Sequence, residues 1–145
     1  MANEISELVR AINAFSIPPE EDETDTECRL YALLDGADEL PGFDAAAEPL
    51  YRLLERNAQC HLGSPGPVVH ALEKIADSPA LLRESLHRTP TYLTVWMVNR
   101  LLNSALSDAE RTEWLRELDA ARHHPSAAPD VIEDVNFFLE YQAGR

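Results

Sequence analysis

The segment TYLTVWMVNRLLNS, residues 91–104, leaves almost no polar face when its residues are spaced as in a helix. Half of its side chains are apolar, namely Leu93, Val95, Trp96, Met97, Val98, Leu101 and Leu102. The pair Thr94-Val95 and the rings of Tyr92 and Trp96 are also typical of a strand, but the length of the segment and its flanking cap residues favour a helix. Because a helix that is apolar nearly all round is buried on several sides, we predict a central helix here.

Apolar residues at helical spacing predict seven more helices along the chain. Their expected ranges are 3–16, 27–35, 45–60, 65–76, 79–88, 108–122 and 130–142. Pro49 fits only in a first turn, which favours a start of the third helix near Ala47. Ser107 and Glu110 have the spacing of a capping box, so the helix at 108–122 has the best-defined start.

The second helix follows an acidic run, EEDETDTE at residues 20–27. Asp25 or Thr26 is the expected N-cap of this helix. Its apolar spacing places Cys28, Tyr31 and Leu34 on the buried side, with Leu30 and Leu33 beside them. The acidic run itself is expected to be a solvated loop or a helix start, because it cannot bury its charges.

The predicted elements define the fold class. Eight helices joined by short loops indicate an all-α protein, a single helical domain over residues 1–145, built as a compact bundle or short HEAT-like array of about eight antiparallel helices. The pairs 65–88 and 91–122 suggest HEAT-type hairpins, although the sequence has no fixed repeat period.

The chain is strongly acidic, with 26 Asp and Glu against 12 Lys and Arg and a formal net charge of −14. Residues 1–60 carry 14 acids and 4 bases, whereas residues 61–145 carry 12 acids and 8 bases. This charge repels phosphate backbones and anionic lipid surfaces, so we expect no nucleic-acid partner and no membrane partner. A basic protein partner is favoured, with simple solubility as the alternative role of the charge.

No residue constellation indicates an active site, a metal site or a cofactor site. The five histidines His61, His70, His87, His123 and His124 have no metal-ligand spacing. The turn LGSPGP at residues 62–67 matches neither a phosphate loop nor a nucleophile elbow, and Ser64 and Pro65 instead suit the cap and first position of the fourth helix. The polar residues Asn99, Arg100 and Asn103 of the central helix are expected to be structural, and Glu84 and Arg88 are expected to form a surface helix pair.

The sequence also predicts where the protein resides. Residues 1–15 lack the continuous apolar region of a signal peptide, and no segment approaches the ~20 apolar residues of a membrane span. Cys28 and Cys60 have no CxxC or Cys/His ligand spacing, and both thiols are expected to be buried or half-buried. We therefore expect a cytoplasmic protein in a reducing compartment.

Three segments, HLGSPGPVVH at 61–70, RTPT at 88–91 and VWMVNR at 95–100, resemble small helical immunity proteins of bacterial polymorphic or contact-dependent toxin systems. The resemblance covers roughly residues 61–118. It implies a cytoplasmic, non-enzymatic protein that binds a cognate toxin and blocks its active site or substrate entry, and the acidity of the chain favours a basic toxin. The partner-binding residues would then be acids of the N-terminal half of the chain. They are Glu20, Glu21, Asp22, Glu23, Asp25, Glu27, Asp35, Asp38, Glu39 and Asp44.

Two other functions are compatible with the sequence. The first is a HEAT-like adaptor or regulatory subunit that binds its partner on the concave side of a helical array. The second is a small enzyme, which bound metal would support. A neighbouring gene for a large toxin-bearing protein would favour the immunity function over both.

Overall fold

The structure is a computed structural model that describes residues 4–58, 60, 62–63, 65–75 and 78–144. These residues contain helices and no strand, which confirms the predicted all-α class. The α-helices are α1 (Glu4–Ala14), α2 (Glu23–Leu34), α3 (Ala47–Arg56), α4 (Gly66–Glu73), α5 (Ser78–Arg88), α6 (Tyr92–Leu102), α7 (Asp108–Ala121) and α8 (Pro129–Ala143). Two short 3₁₀ helices, Ala37–Glu39 and Phe43–Ala46, lie between α2 and α3.

The helices form four hairpins stacked in two layers. The hairpins are α1/α2, α3/α4, α5/α6 and α7/α8, since each of these pairs is in contact. In the first layer α1 packs on α3, α3 on α5, and α5 on α7. In the second layer α2 packs on α4 and α6 on α8, whereas the described residues of α4 and α6 make no extensive contact. The fold is therefore a short hairpin array whose second layer has a gap between α4 and α6.

The hairpin pairing expected over 65–88 is wrong. α4 packs chiefly on α2 and α3, and α5 packs on α3, α6 and α7. Apolar spacing within a helix indicates that one face is buried, but it carries no information about which neighbour covers that face. The helices of 91–122, by contrast, do contact each other as α6 and α7.

The central position predicted for the helix at 91–104 is confirmed. α6 contacts α5, α7 and α8, and Val95 and Val98 are fully buried. The N-cap of α6 is Thr91, whose hydroxyl accepts from the backbone N–H of Thr94 at 3.0 Å while the Thr94 hydroxyl accepts from the Thr91 N–H at 2.9 Å. Both threonines are buried, so this reciprocal cap satisfies polar groups that water cannot reach.

The starts of three other helices test the predicted caps. Ser107 caps α7 and accepts from the Glu110 N–H at 3.2 Å, as predicted. α3 begins at Ala47, also as predicted, but it ends at Arg56 rather than near residue 60. Pro65 is the N-cap of α4 and not its first residue, and Ser64 lies outside the described residues.

The start of α2 is earlier than predicted. α2 begins at Glu23, and its N-cap is Asp22 rather than Asp25 or Thr26. The Asp22 Oδ1 atom accepts from the Asp25 N–H at 2.8 Å. Carboxylates are stabilised at a helix N-terminus, so the acidic run forms the start of the helix, which is one of the two structures expected for it.

A polar cluster around the buried side chain of Gln142 joins α8 to the centre of the fold. Gln142 is 2% exposed, and its Nε2 atom donates to Oδ1 of Asn99 at 2.7 Å and to Oδ1 of Asn103 at 2.9 Å. Arg111 Nη2 donates to Gln142 Oε1 at 3.0 Å, and Arg111 Nη1 donates to the carbonyl of Leu102 at 3.1 Å. The polar residues Asn99 and Asn103 of the central helix therefore have the structural role expected of them.

Candidate protein-binding surface

The acids predicted to bind a partner fall into two groups at opposite ends of α2. The first group, residues 20–27, surrounds the start of α2, and the second, residues 35–44, follows its end. A helix of 12 residues is about 18 Å long, so the two groups do not form one patch. Each end of α2 has to be considered as a separate surface.

Glu21 in the first group is committed to contacts within the chain. Its carboxylate accepts from Arg29 Nε at 2.9 Å, from Arg29 Nη2 at 2.7 Å and from the Thr26 hydroxyl at 2.6 Å. The hydrogen bonds from Arg29, followed by the one from Thr26, hold the pKa of Glu21 below its ordinary value. Arg29 also donates to the carbonyl of Ser16 at 2.7 Å and lies over the ring of Phe15. Glu21 thus stabilises the loop between α1 and α2 through its contact with Arg29.

Four other acids of the first group present their charge to solvent. Glu20, Glu23 and Asp25 are exposed and Glu27 is half-buried, while Asp22 is used as the helix cap. The N-terminus of α2 stabilises these carboxylates through its helix dipole. This end of α2 is negatively charged, but it has no exposed large apolar side chain among its described residues.

The second group of acids follows a sharp turn at the end of α2. Gly36 has a φ of 69°, which lets the chain reverse direction after Asp35. The acids Asp35, Asp38, Glu39 and Asp44 are all exposed. Asp38 forms an ion pair with Lys74 after α4, at 3.1 Å between Oδ2 and Nζ. The pair connects this turn to the second hairpin.

A cleft of about 270 Å³ lies between the end of α2 and α4, and we call it the α2–α4 cleft. Its lining residues are Tyr31, Leu34, Asp35, Gly36, Asp38, Phe43, Pro67, His70, Ala71 and Lys74. Tyr31 is 50% exposed, in contrast to the buried position predicted for it. Tyrosine is enriched at binding surfaces because a large ring that carries a hydroxyl contributes apolar area and a hydrogen bond together. The cleft therefore combines an accessible aromatic ring with two predicted acids, and its other lining residues are both polar and apolar.

The buried side of α2 agrees with the prediction only in part. Leu30 and Thr26 are buried, while Cys28 and Tyr31 are exposed. The helix starts four residues earlier than predicted, and α4 covers the face that contains Leu30. Of the two thiols, which are both free, only that of Cys60 is half-buried as expected. Sequence spacing alone could not identify Tyr31, because its exposure depends on which helix packs against α2.

Among the histidines that the structure describes, His70 lies apart from His87 and His124. His70 lines the α2–α4 cleft, whereas His87 lies on α5 with its Nε2 atom 2.6 Å from Oε2 of Glu117. His124 accepts from the Ser126 N–H through Nδ1 at 3.0 Å, so its Nε2 atom is the donor to the carbonyl of His87 at 2.7 Å. The described residues contain no group of three or more potential metal ligands, and His61 lies outside them.

A second cleft, of about 400 Å³, occupies the gap between α4 and α6, and we call it the α4–α6 cleft. Ile75, Leu82 and Met97 are buried residues that line it, and an ion pair between Arg100 Nε and Glu73 Oε2 at 2.8 Å lies at its edge. The gap exists because α4 and α6 lie in the same layer without packing closely on each other. The sequence pattern within either helix does not predict this gap. The two charged groups at its edge neutralise each other, so the α4–α6 cleft lacks the negative charge of the α2–α4 cleft.

None of the described helices combines the length and apolar character that crossing a lipid bilayer requires. Comparisons of the chain with models of protein families, with curated proteins and with solved structures gave no match.

Proposed function

We propose that this protein is a non-enzymatic binding module that holds a basic segment of a protein partner in the α2–α4 cleft. The observation that carries the proposal is the half-exposed ring of Tyr31 beside the exposed carboxylate of Asp35. An aromatic ring next to a carboxylate suits an arginine or lysine side chain, because the cation interacts with the face of the ring and pairs with the acid.

The charge of the whole protein supports a basic partner. A net charge of −14 attracts a positively charged protein over distances longer than any single contact. The exposed acids Glu20, Glu23 and Asp25 would add to this attraction without touching the partner in the bound complex. Opposite potentials accelerate association more than they strengthen the final complex.

The most specific form of this proposal is an immunity protein in the bacterial cytoplasm that neutralises a cognate toxin domain. The resemblance of residues 61–118 to such proteins supports it, and fast capture through opposite charge suits an inhibitor that must act before its target does. In this function the inhibitor needs no catalytic group of its own, because occupying the toxin's active site or substrate entry is sufficient.

An adaptor function is the second candidate, and the hairpin array favours it. Stacked hairpins commonly offer a long surface to a partner, and the second layer here includes both clefts. The two functions differ in the identity of the partner. An adaptor would bind without inhibiting any lethal activity, whereas an immunity protein would protect cells from one.

The test is co-expression with the product of the gene directly upstream, read by growth and by pull-down. We expect the wild-type chain to restore growth and to retain the toxin, and Tyr31→Ala with Asp35→Asn to lose both. The matched control is Glu4→Gln with Glu7→Gln, which also alters exposed acids but lies on α1. Binding without protection would favour the adaptor. Equal behaviour of the two double variants would exclude the α2–α4 cleft as the contact.

A further inference from the structure

The outer face of α8 carries two large exposed aromatic side chains. Phe137 is 65% exposed and Tyr141 is 47% exposed. The main contacts of α8 are with α6 and α7, and they leave this face uncovered among the described residues. Soluble proteins seldom expose several large apolar side chains together, and such a surface commonly marks a binding site.

Acids surround these rings on the same face. With 3.6 residues per turn, Asp130, Glu133, Phe137, Glu140 and Tyr141 lie along one side of α8, and all five are exposed. We call these five residues the α8 stripe. The helix contains four acids and no base between Pro129 and Ala143. Residues 61–128 are nearly balanced, with 8 acids and 7 bases, so the negative charge of the second half of the chain is concentrated on α8.

The ring of Phe137 is supported by contact with a second aromatic ring. It packs edge-to-face on Phe138, with ring centroids 5.9 Å apart and an interplanar angle of 70°, and Phe138 packs against the hydrophobic core. On the neighbouring side, Asn136 accepts from Arg122 Nη1 at 3.1 Å. A ring supported in this way loses little conformational freedom when a partner covers it.

We propose that the α8 stripe docks an arginine-bearing helix of a protein partner, which occupies the place of a next helix in the array. Arginine suits this surface because its planar guanidinium stacks on an aromatic ring and also pairs with a carboxylate. A helix suits it because residues three and four positions apart would meet the alternating acids and rings of the stripe. A second copy of the chain fits poorly, since it would bring the same carboxylates and a net charge of −14 to the contact.

This surface is distinct from the α2–α4 cleft. The cleft lies between the first two hairpins, and the α8 stripe lies on the last one. The inference therefore does not depend on the proposed function, and each can fail without the other. A partner that used both surfaces would gain affinity from two linked contacts.

The experiment is an NMR titration of the isotopically labelled full chain at low salt. The probe is a capped, alanine-based helical peptide with arginines three and four residues apart, and a lysine version has the same charge. We expect shifts of the amides around Phe137 and Tyr141, with affinity reduced about tenfold by Phe137→Ala with Tyr141→Ala. The lysine peptide should bind several-fold more weakly, because lysine lacks the planar stacking group.

The controls separate the α8 stripe from general acidity. Glu133→Gln with Glu140→Gln should weaken binding of the arginine peptide more than Glu4→Gln with Glu7→Gln, although the change in charge is equal. Thermal unfolding should show all variants folded, because every altered side chain is exposed. The proposal is overturned if the shifts map only to the α2–α4 cleft or if the aromatic variant binds like wild type. It is also overturned if sedimentation shows a wild-type dimer that the aromatic variant abolishes.

Discussion

Glu55 of α3 and Arg88 of α5 form a two-armed ion pair that joins neighbouring helices of the first layer. Arg88 Nε lies 3.0 Å from Oε1 of Glu55, and Arg88 Nη2 lies 2.8 Å from Oε2. The hydroxyl of the fully buried Ser85 donates to the same Oε2 at 2.7 Å. The hydrogen bonds to Glu55 raise the pKa of Arg88 above its ordinary value. The expected pair of Arg88 with Glu84 is therefore wrong, because the nearly buried carboxylate of Glu55 offers a stronger contact.

Removing this carboxylate should destabilise the fold. Glu55→Ala leaves the Arg88 guanidinium and the Ser85 hydroxyl without their acceptor, and we expect a loss of about 2–3 kcal/mol in the free energy of unfolding. Urea denaturation measures this loss. Glu48→Gln is the control, because Glu48 lies on the same helix with a side chain that is 62% exposed, and it should cost less than about 0.5 kcal/mol. Equal losses in the two variants would contradict the structural role of the pair.

Gln142 should be equally important at the other end of the array. Gln142→Ala removes the donor to Asn99 and Asn103 and the acceptor of Arg111, and we expect a loss of about 2–3 kcal/mol because these groups are partly buried. Asn136→Ala, on the exposed side of the same helix, should have a small effect. Hydrogen exchange gives a second measurement, since the end of α8 should open more often in the Gln142 variant. Unchanged exchange would argue against a role of the cluster in holding α8.

Gly63 should tolerate no side chain. Its φ is 110°, and an added Cβ would lie 2.3 Å from the Cα of Gly66, which is backbone and cannot move aside. Gly36 also has a positive φ, of 69°, but a Cβ there would meet nothing within 4 Å. We expect Gly36→Ala to cost about 1–2 kcal/mol through backbone strain alone, and Gly63→Ala to cost clearly more. Thermal unfolding of the two variants provides the comparison, and equal melting temperatures would disagree with the close approach at Gly63.

The Glu21 contact predicts a dependence of stability on pH. Because Arg29 and Thr26 lower the pKa of Glu21 in the folded chain, its carboxylate stabilises the fold at pH values above the ordinary glutamate pKa of about 4.3. This contribution is lost as the pH falls through the lowered pKa. The melting temperature of Glu21→Gln should therefore lie below that of wild type at pH 7, with the difference shrinking in acid. Glu20→Gln, at the exposed neighbouring position, should show no comparable difference.

Association with a basic partner should depend strongly on salt. The exposed acids Glu20, Glu23, Asp25 and Asp35 act through long-range attraction, which is screened beyond about 8 Å at physiological ionic strength. We expect the association rate with the upstream gene product to fall as salt rises, while the dissociation rate changes little. Glu20→Gln with Glu23→Gln should reproduce part of this slowing at low salt. A rate that does not respond to salt would show that the acidic charge does not guide binding.

The helices, the cap of α7 at Ser107 and the central place of α6 could be predicted from the sequence. These features depend on residues close together in the chain, through apolar spacing and short side-chain to backbone hydrogen bonds. The start of α3 near Ala47 could also be predicted from the sequence. Pro49 is tolerated only in the first turn of a helix, and this restriction does not depend on residues far away in the chain.

Which helices are neighbours, and what lies between them, depends on how the whole chain packs. The exposure of Tyr31, the gap between α4 and α6, and the pairing of Glu55 with Arg88 each depend on elements far apart in sequence. The acids were visible in the sequence, but their separation into two groups about 18 Å apart follows from the length and placement of α2. Apolar spacing shows that a face is buried; packing of the whole chain determines which helix covers it and which side chains remain accessible to a partner.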